Sequence, residues 1–108
     1  MRRGDLITVA VSGDYGKPRP ALVIQSDFLA DTDSVLVCLV TSTLRDSPLY
    51  RLDLPAVGAT GLREQSQVMV DKIMAVRRDR CGPVIGRIDS STMLALNRLL
   101  ALATGLAD

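Results

Sequence analysis

The sequence predicts a mainly β protein: a small, strongly bent antiparallel sheet or open, barrel-like sheet with one C-terminal α-helix packed on it. Three observations carry this expectation. Short apolar or alternating runs recur between clusters of glycine, proline and small polar residues, the pattern of strands joined by turns. Only the C-terminal segment repeats its leucines at helical spacing. The chain has 108 residues, 47% of them hydrophobic, which suits a single domain over 1–108 with a core that needs no disulfides.

The elements follow in order. Residues 6–11 form a first strand, with Ile7, Val9 and Val11 on one face and Thr8 and Ala10 on the other. Residues 12–20 are punctuated by Gly13, Gly16, Pro18 and Pro20 and form a loop. Residues 21–25 are apolar on both faces, as a central strand would be. A short helical turn fits 27–33, and 35–41 is a third, almost continuously apolar strand. Over 50–54 the pattern alternates, placing Tyr50, Leu52 and Leu54 inward and Arg51 and Asp53 outward. A loop with Gly58 and Gly61 covers 55–65. The strand over 67–76 carries Asp71 and Lys72 in an otherwise apolar run; a basic turn (77–83) and a short strand (84–88) follow. Asp89 or Ser90 caps the helix, whose stripe is Leu96, Leu99, Leu100 and Ala103, and Gly105 stops it. Leu94, Leu102 and Leu106 widen that apolar face, which fits either a partner subunit or a helix wedged into its own barrel.

Composition removes several function classes. Thirteen Lys+Arg against twelve Asp+Glu leave a net charge of +1, so bulk charge does not mark a nucleic-acid binder. The basic residues are nearly all arginine, Lys17 and Lys72 being the lysines. An arginine fork suits phosphate, although genome composition explains the bias equally well. Cys38 and Cys81 are far apart, and no apolar run follows Met1-Arg2-Arg3 as a secretory signal requires; a reducing, cytoplasmic location is expected. No apolar stretch is long enough to span a bilayer, so no membrane partner is expected. There is no histidine, the commonest general base and metal ligand, and no ligand-spaced acidic or cysteine cluster. No metal and no cofactor are therefore expected. Chemistry must come from Arg, Lys, Asp, Glu, Ser, Thr, Tyr or Cys. Tyr15, Phe28 and Tyr50 are too few for a base-stacking platform.

Four places remain where chemistry fits. Arg19 lies between Pro18 and Pro20, so a restrained backbone aims a cation at the mouth of a buried strand; a surface arginine in a rigid loop is the plainer explanation. Thr41-Ser42-Thr43 ends the third strand, where hydroxyls bind phosphate oxygens or simply cap the strand. Asp71 interrupts an apolar run and is expected to meet a partner across the sheet, as a structural ion pair or as an active-site anchor. Arg77, Arg78 and Arg80 form a basic cluster that also reads as a solvated turn.

Taken in order, these residues resemble the MazF/PemK-type toxins. Arg3-Gly4-Asp5 before a strand and Arg19-Pro20-Ala21-Leu22-Val23-Ile24-Gln25 are similar to the family's opening. The likeness continues through Val40-Thr41-Ser42 and Val68-Met69-Val70-Asp71-Lys72-Ile73 to Gly86-Arg87-Ile88-Asp89 before the last helix, essentially the whole chain. The resemblance implies the SH3-like CcdB/MazF plasmid-maintenance toxin fold, a homodimer, a cognate antitoxin partner and cleavage of single-stranded RNA that inhibits translation and growth. It implies catalytic roles for Arg19 and Thr41 and an assisting role for Asp71. Lys17, Ser42, Lys72, Arg77 and Arg78 are the expected RNA-binding residues. In this scheme the 2′-hydroxyl attacks the adjacent phosphate without a metal, giving a 2′,3′-cyclic phosphate and a 5′-hydroxyl, and the general base stays open, with Asp71 a second choice. The sequence departs from the family pattern in three respects. The first loop lacks the Gly-Ser-Glu-Gln pattern, Lys72 stands where Gln is usual, and Met69 stands where one branch has a catalytic arginine paired with a first-loop histidine. Two rival readings remain. A CcdB-like gyrase poison fits Gln25-Ser26-Asp27 but not the tryptophan-free C-terminus, and a catalytically dead module would keep only the antitoxin contact.

Overall fold

The computed structural model describes residues 1–11 and 17–108. The first part of the expected 12–20 loop, residues 12–16, lies outside the described residues. Six strands form one antiparallel sheet: β1 (Asp5–Ala10), β2 (Pro18–Val23), β3 (Ser34–Thr41), β4 (Arg51–Leu54), β5 (Ser66–Arg77) and β6 (Cys81–Arg87), in the spatial order β4-β5-β3-β2-β1-β6. Short 3-10 turns cover Asp27–Leu29 and Arg78–Arg80, and the helix α1 spans Ser90–Ala103. The mainly β fold with a C-terminal helix is thus the one expected.

Strand β2 begins at Pro18, earlier than its apolar run indicates. Pro18 and Pro20 pair with Ala10 and Thr8 of β1, whereas β3 joins only from Ala21 onward. The proline stretch therefore needs ladder bonds on one side only, where a missing N–H is tolerated.

The bend of the sheet is built into β5. Between the pairs Cys38↔Ile73 and Val40↔Val68, β5 uses three more residues than β3. An odd insertion reverses which face each later side chain takes. Val68 and Val70 accordingly pack with Leu6, Leu22, Cys38 and Val40 under the helix residue Leu96. Beyond the bulge, Val76 packs with Ile7, Val9, Val35 and Val37 on the opposite face. Leu6 and Ile7 are both fully buried, because β1 has a core on each side.

This bulge corrects the expectation for Asp71, which sits within it beside Lys72 and Ile73, all three exposed. Among the described residues Asp71 meets no arginine across the sheet; the polar pair interrupts the apolar run because the backbone leaves the ladder there. A second correction concerns β4. Arg51 is not simply solvent-facing: its Nη1 donates to the Thr43 carbonyl (2.9 Å) and to Gln67 Oε1 (3.0 Å). In the helix, Asp89 caps as expected, its Oδ1 accepting from the Thr92 N–H at 2.8 Å.

Candidate active site

Register brings the first two candidates together. Ala21 pairs with Leu39. Continued two residues further on each strand, that register sets Arg19 level with Thr41. Both line a cavity of about 540 Å³, large enough for a nucleotide-sized ligand. One wall is Thr8 on β1 with residues 18–20; a second is Thr41, Ser42 and Thr43 beyond β3; a third is residues 61–64 with Ser66.

Each wall is held by its own contacts. The Thr41 hydroxyl accepts from the Thr43 N–H at 3.1 Å, so it caps the strand end and lines the cavity at once. Gln67, opposite Thr41 in the ladder and buried, supports the turn that follows. Its Oε1 accepts from the Arg45 N–H (3.0 Å), and its Nε2 donates to the Arg45 carbonyl (3.0 Å) and Asp53 Oδ1 (2.9 Å). A buried amide with all these groups paired stiffens what it touches.

The third wall is pressed onto β6. The buried Thr60 hydroxyl donates to the carbonyls of Pro55 (3.0 Å) and Val57 (2.9 Å), and the Arg87 N–H donates to the Ala59 carbonyl at 2.7 Å. Gly61 has φ +68°, and a Cβ there would strike the Ile85 carbonyl; a Cβ on Gly86 would strike that of Thr60. Glycine is required at both positions for the loop to lie this close. The Ser66 hydroxyl donates to the Glu64 carbonyl at 3.0 Å and fixes the end of the wall.

The cavity therefore offers two guanidinium groups, Arg19 and Arg63, several hydroxyls and, among its described lining residues, a single carboxylate, Glu64. This set suits an anionic, phosphate-bearing substrate. Among the described residues no group of three Cys, Asp or Glu side chains is placed to hold a metal ion.

The other expected site residues are distributed differently. Ser42 lines the cavity; Lys17 is exposed just before Pro18 and does not line it. Asp71 borders a separate, mostly apolar hollow with Leu49, Tyr50, Ile73 and Leu102. Lys72 shares its bulge. Arg77 pairs with Ser34, at the other end of β3 from Thr41, ~23 Å away by strand rise. Its guanidinium pairs with Asp79 at 2.8 Å, and Arg78 donates to the backbone carbonyls of Thr32 and Leu29. The basic turn is therefore a locally satisfied surface, not part of the cavity. Burial pushes the Cys38 thiol up to about 12, leaving it an inert core side chain.

Over residues 2–104 the sequence matches the family model described as PemK-like, MazF-like toxin of type II toxin-antitoxin system. The chain belongs to the PemK/MazF-like toxin family. A probable endoribonuclease MazF of Mycolicibacterium smegmatis is 41% identical over 108 residues, 99% of each chain. Solved structures agree on the fold. One titled an endoribonuclease in complex with its cognate antitoxin, from a Mycobacterial species, has a TM-score of 0.78 at 24% identity, covering 98% of this chain and 96% of that one. A MazE–MazF structure from Deinococcus radiodurans has a TM-score of 0.80 at 21% identity, with the same coverage.

The fold also explains why widely separated family-like motifs occur in this toxin. Asp5 of the opening motif and Arg87 of the last are ladder partners, joined at 2.8 Å, and the Arg2 N–H donates to the same carboxylate at 2.7 Å. Arg3 ties the end of β2 to the helix, donating to the Ile24 carbonyl (2.9 Å) and Asn97 Oδ1 (2.8 Å). Gln25, set beside gyrase poisons in the sequence, instead braces the first 3-10 turn, donating to the Leu29 carbonyl at 2.7 Å. Sequence reading missed Arg63, Glu64, Thr8 and Gln67. For Arg63 and Glu64 the only signal was the pair of glycines in the 55–65 loop; nothing local says that this loop folds back over β6.

Proposed function

We propose that this toxin is a metal-independent endoribonuclease that cuts single-stranded RNA by attack of the RNA's own 2′-hydroxyl. The carrying observation is the convergence of Arg19, Thr41 and Ser42 on one cavity with no metal-ligand cluster among its described residues. Arg19 offsets the charge that develops on the pentavalent phosphorus centre. Thr41 hydrogen-bonds a phosphate oxygen and keeps attacking and leaving oxygens in line. Ser42 and Arg63 hold the neighbouring backbone, and Lys17, exposed next to the cavity-lining Pro18, adds positive charge beside it. The products are a 2′,3′-cyclic phosphate and a 5′-hydroxyl, and loss of transcripts inhibits translation and growth in the cytoplasm.

The same reading includes two partners. A cognate antitoxin is implied by the family, and solved relatives are titled as complexes with one. A homodimer fits the exposed Leu94, Leu102 and Leu106 on and after α1, which the chain's own sheet leaves uncovered. No described helix is long and apolar enough to cross a membrane.

The test is cleavage of a single-stranded RNA with mapped ends. Cutting should persist in excess EDTA and stop when the 2′-hydroxyl at the cut site is replaced by hydrogen. Arg19→Ala should lower the rate by roughly a hundredfold or more, the scale of losing one preorganised electrostatic contact. Thr41→Ala should lower it by about fivefold, the worth of one neutral hydrogen bond. Activity abolished by EDTA, or an Arg19→Ala protein that cuts normally, would refute the mechanism.

A further inference from the structure

The reaction needs an acceptor for the 2′-hydroxyl proton, and the cavity restricts the choice. Arginines hold their protons at neutral pH, and serine or threonine hydroxyls are too weakly basic to take one. Among the described lining residues Glu64 is the single carboxylate, whereas Asp71 lies outside the cavity. The Glu64 carboxylate takes no hydrogen bond or ion pair from any described residue. Its backbone, by contrast, is fixed: the Ser66 hydroxyl bonds the Glu64 carbonyl, and Gly61 seats the same wall on β6. An exposed carboxylate on a fixed backbone, lining the same cavity as Arg19, Thr41 and Arg63, is placed to work on substrate.

We propose that Glu64 is the general base of this toxin, a role that rests on the RNA transesterification reading above. The Glu64 carboxylate takes the proton from the 2′-hydroxyl as the O2′–P bond forms. The P–O5′ bond breaks with its electron pair going to O5′, which takes a proton from water. Glu64 then returns its proton to solvent, so no oxidant, metal or second substrate enters the balance.

The experiment compares wild type, Glu64→Gln, Glu64→Asp and Arg19→Ala on one RNA of mapped cleavage site, with the rate followed against pH. Glu64→Gln should lower kcat by about a hundredfold, the lower end of the general-base range, with KM unchanged or reduced because a negative charge has left the cavity. The acid-side fall of the wild-type rate should be absent from Glu64→Gln, and Glu64→Asp should recover part of the rate. Wild-type rates in Glu64→Gln would overturn the assignment while Arg19→Ala still reports on the underlying reading. So would a slowed Glu64→Gln that keeps the acid limb, which marks a positioning role. A changed cleavage sequence at undiminished rate would overturn it too, and would make Glu64 a reader of base edges. If wild type cuts no RNA, the reading beneath the proposal fails as well.

Discussion

The two ends of the β3–β5 pair both carry charge, but they are assembled differently. At the Ser34 end, Arg77 pairs with Asp79 two residues on, and Arg78 bonds carbonyls of the adjoining turn. These charges are neighbours in sequence and satisfy one another locally. At the Thr41 end the lining groups come from β1, β2, the turn after β3 and the 61–64 loop, and none of those segments is a basic cluster by itself. A run of basic residues thus marked the end that is self-contained, while isolated residues marked the end that forms a cavity. Convergence in space, not density in sequence, distinguishes a site from a solvated turn.

If that difference is real, the largest structural effect should come from prising the third wall off β6. Gly86→Val would set a branched side chain against the Thr60 carbonyl. Overpacking of this kind costs about 1–3 kcal/mol, and the clash with backbone places Gly86→Val at the upper end. Thermal unfolding should shift down by roughly 10 °C or more, given ~4–8 °C per kcal/mol for a domain of this size. RNA cleavage should fall even at temperatures where the variant stays folded, because Arg63 and Glu64 ride on the displaced loop. Retained stability together with retained cleavage would show that the wall is softer than its contacts imply.

A smaller effect should follow from cutting the tie between β1 and β6. The Asp5 carboxyl is buried, and burial alone would raise its pKa. The Arg2 N–H and the Arg87 guanidinium outweigh that and hold it below its ordinary value. A lowered folded pKa means stabilisation that is present above the unfolded value of about 3.8 and lost as pH falls through the folded one. Asp5→Asn should cost about 1.5–3 kcal/mol in denaturant titration at pH 7, the range for hydrogen bonds to a charged group. The gap between variant and wild type should narrow in acid below pH 3.8. A gap independent of pH would assign the cost to packing. RNA cleavage per folded molecule should change little, since neither Asp5 nor Arg87 lines the cavity.

The fold was largely legible in the sequence because its signals are local. Alternation, turn residues and the Asp89 cap place the strands and the helix from their own neighbourhoods. Arg19 and Thr41 stood out by flanking prolines and by a strand-end position, but neither signal separates a site from a rigid loop or a strand cap; their expected roles came from the family resemblance, and the register places both on one cavity. Asp71 was not legible, since the same apolar interruption describes a buried ion pair and a bulge, and only the register against β3 separates them. Glu64 and Arg63 were invisible for a related reason. Their place depends on two glycines allowing a loop to lie on β6, a contact between segments that no periodicity records.

The smallest expected effects are the ones that test the comparison most directly. Asp71→Asn removes a charge from the bulge, and Arg77→Ala removes one from the far end of β3. Neither residue borders the cavity, Asp71 has no described hydrogen-bond partner, and the Arg77–Asp79 pair is exposed. Exposed pairs contribute about 0–1 kcal/mol, so Arg77→Ala should leave the unfolding midpoint nearly unchanged. Both variants should cleave a short RNA, one that spans only the cavity, within about twofold of the wild-type kcat. A longer RNA crossing the molecule would feel Arg77 through its phosphates: KM should rise modestly for Arg77→Ala and the difference should vanish as salt is added, because screening removes it. A large fall in kcat for Asp71→Asn on the short RNA would mean that the bulge end takes part in chemistry, and the separation of the two ends would have to be abandoned.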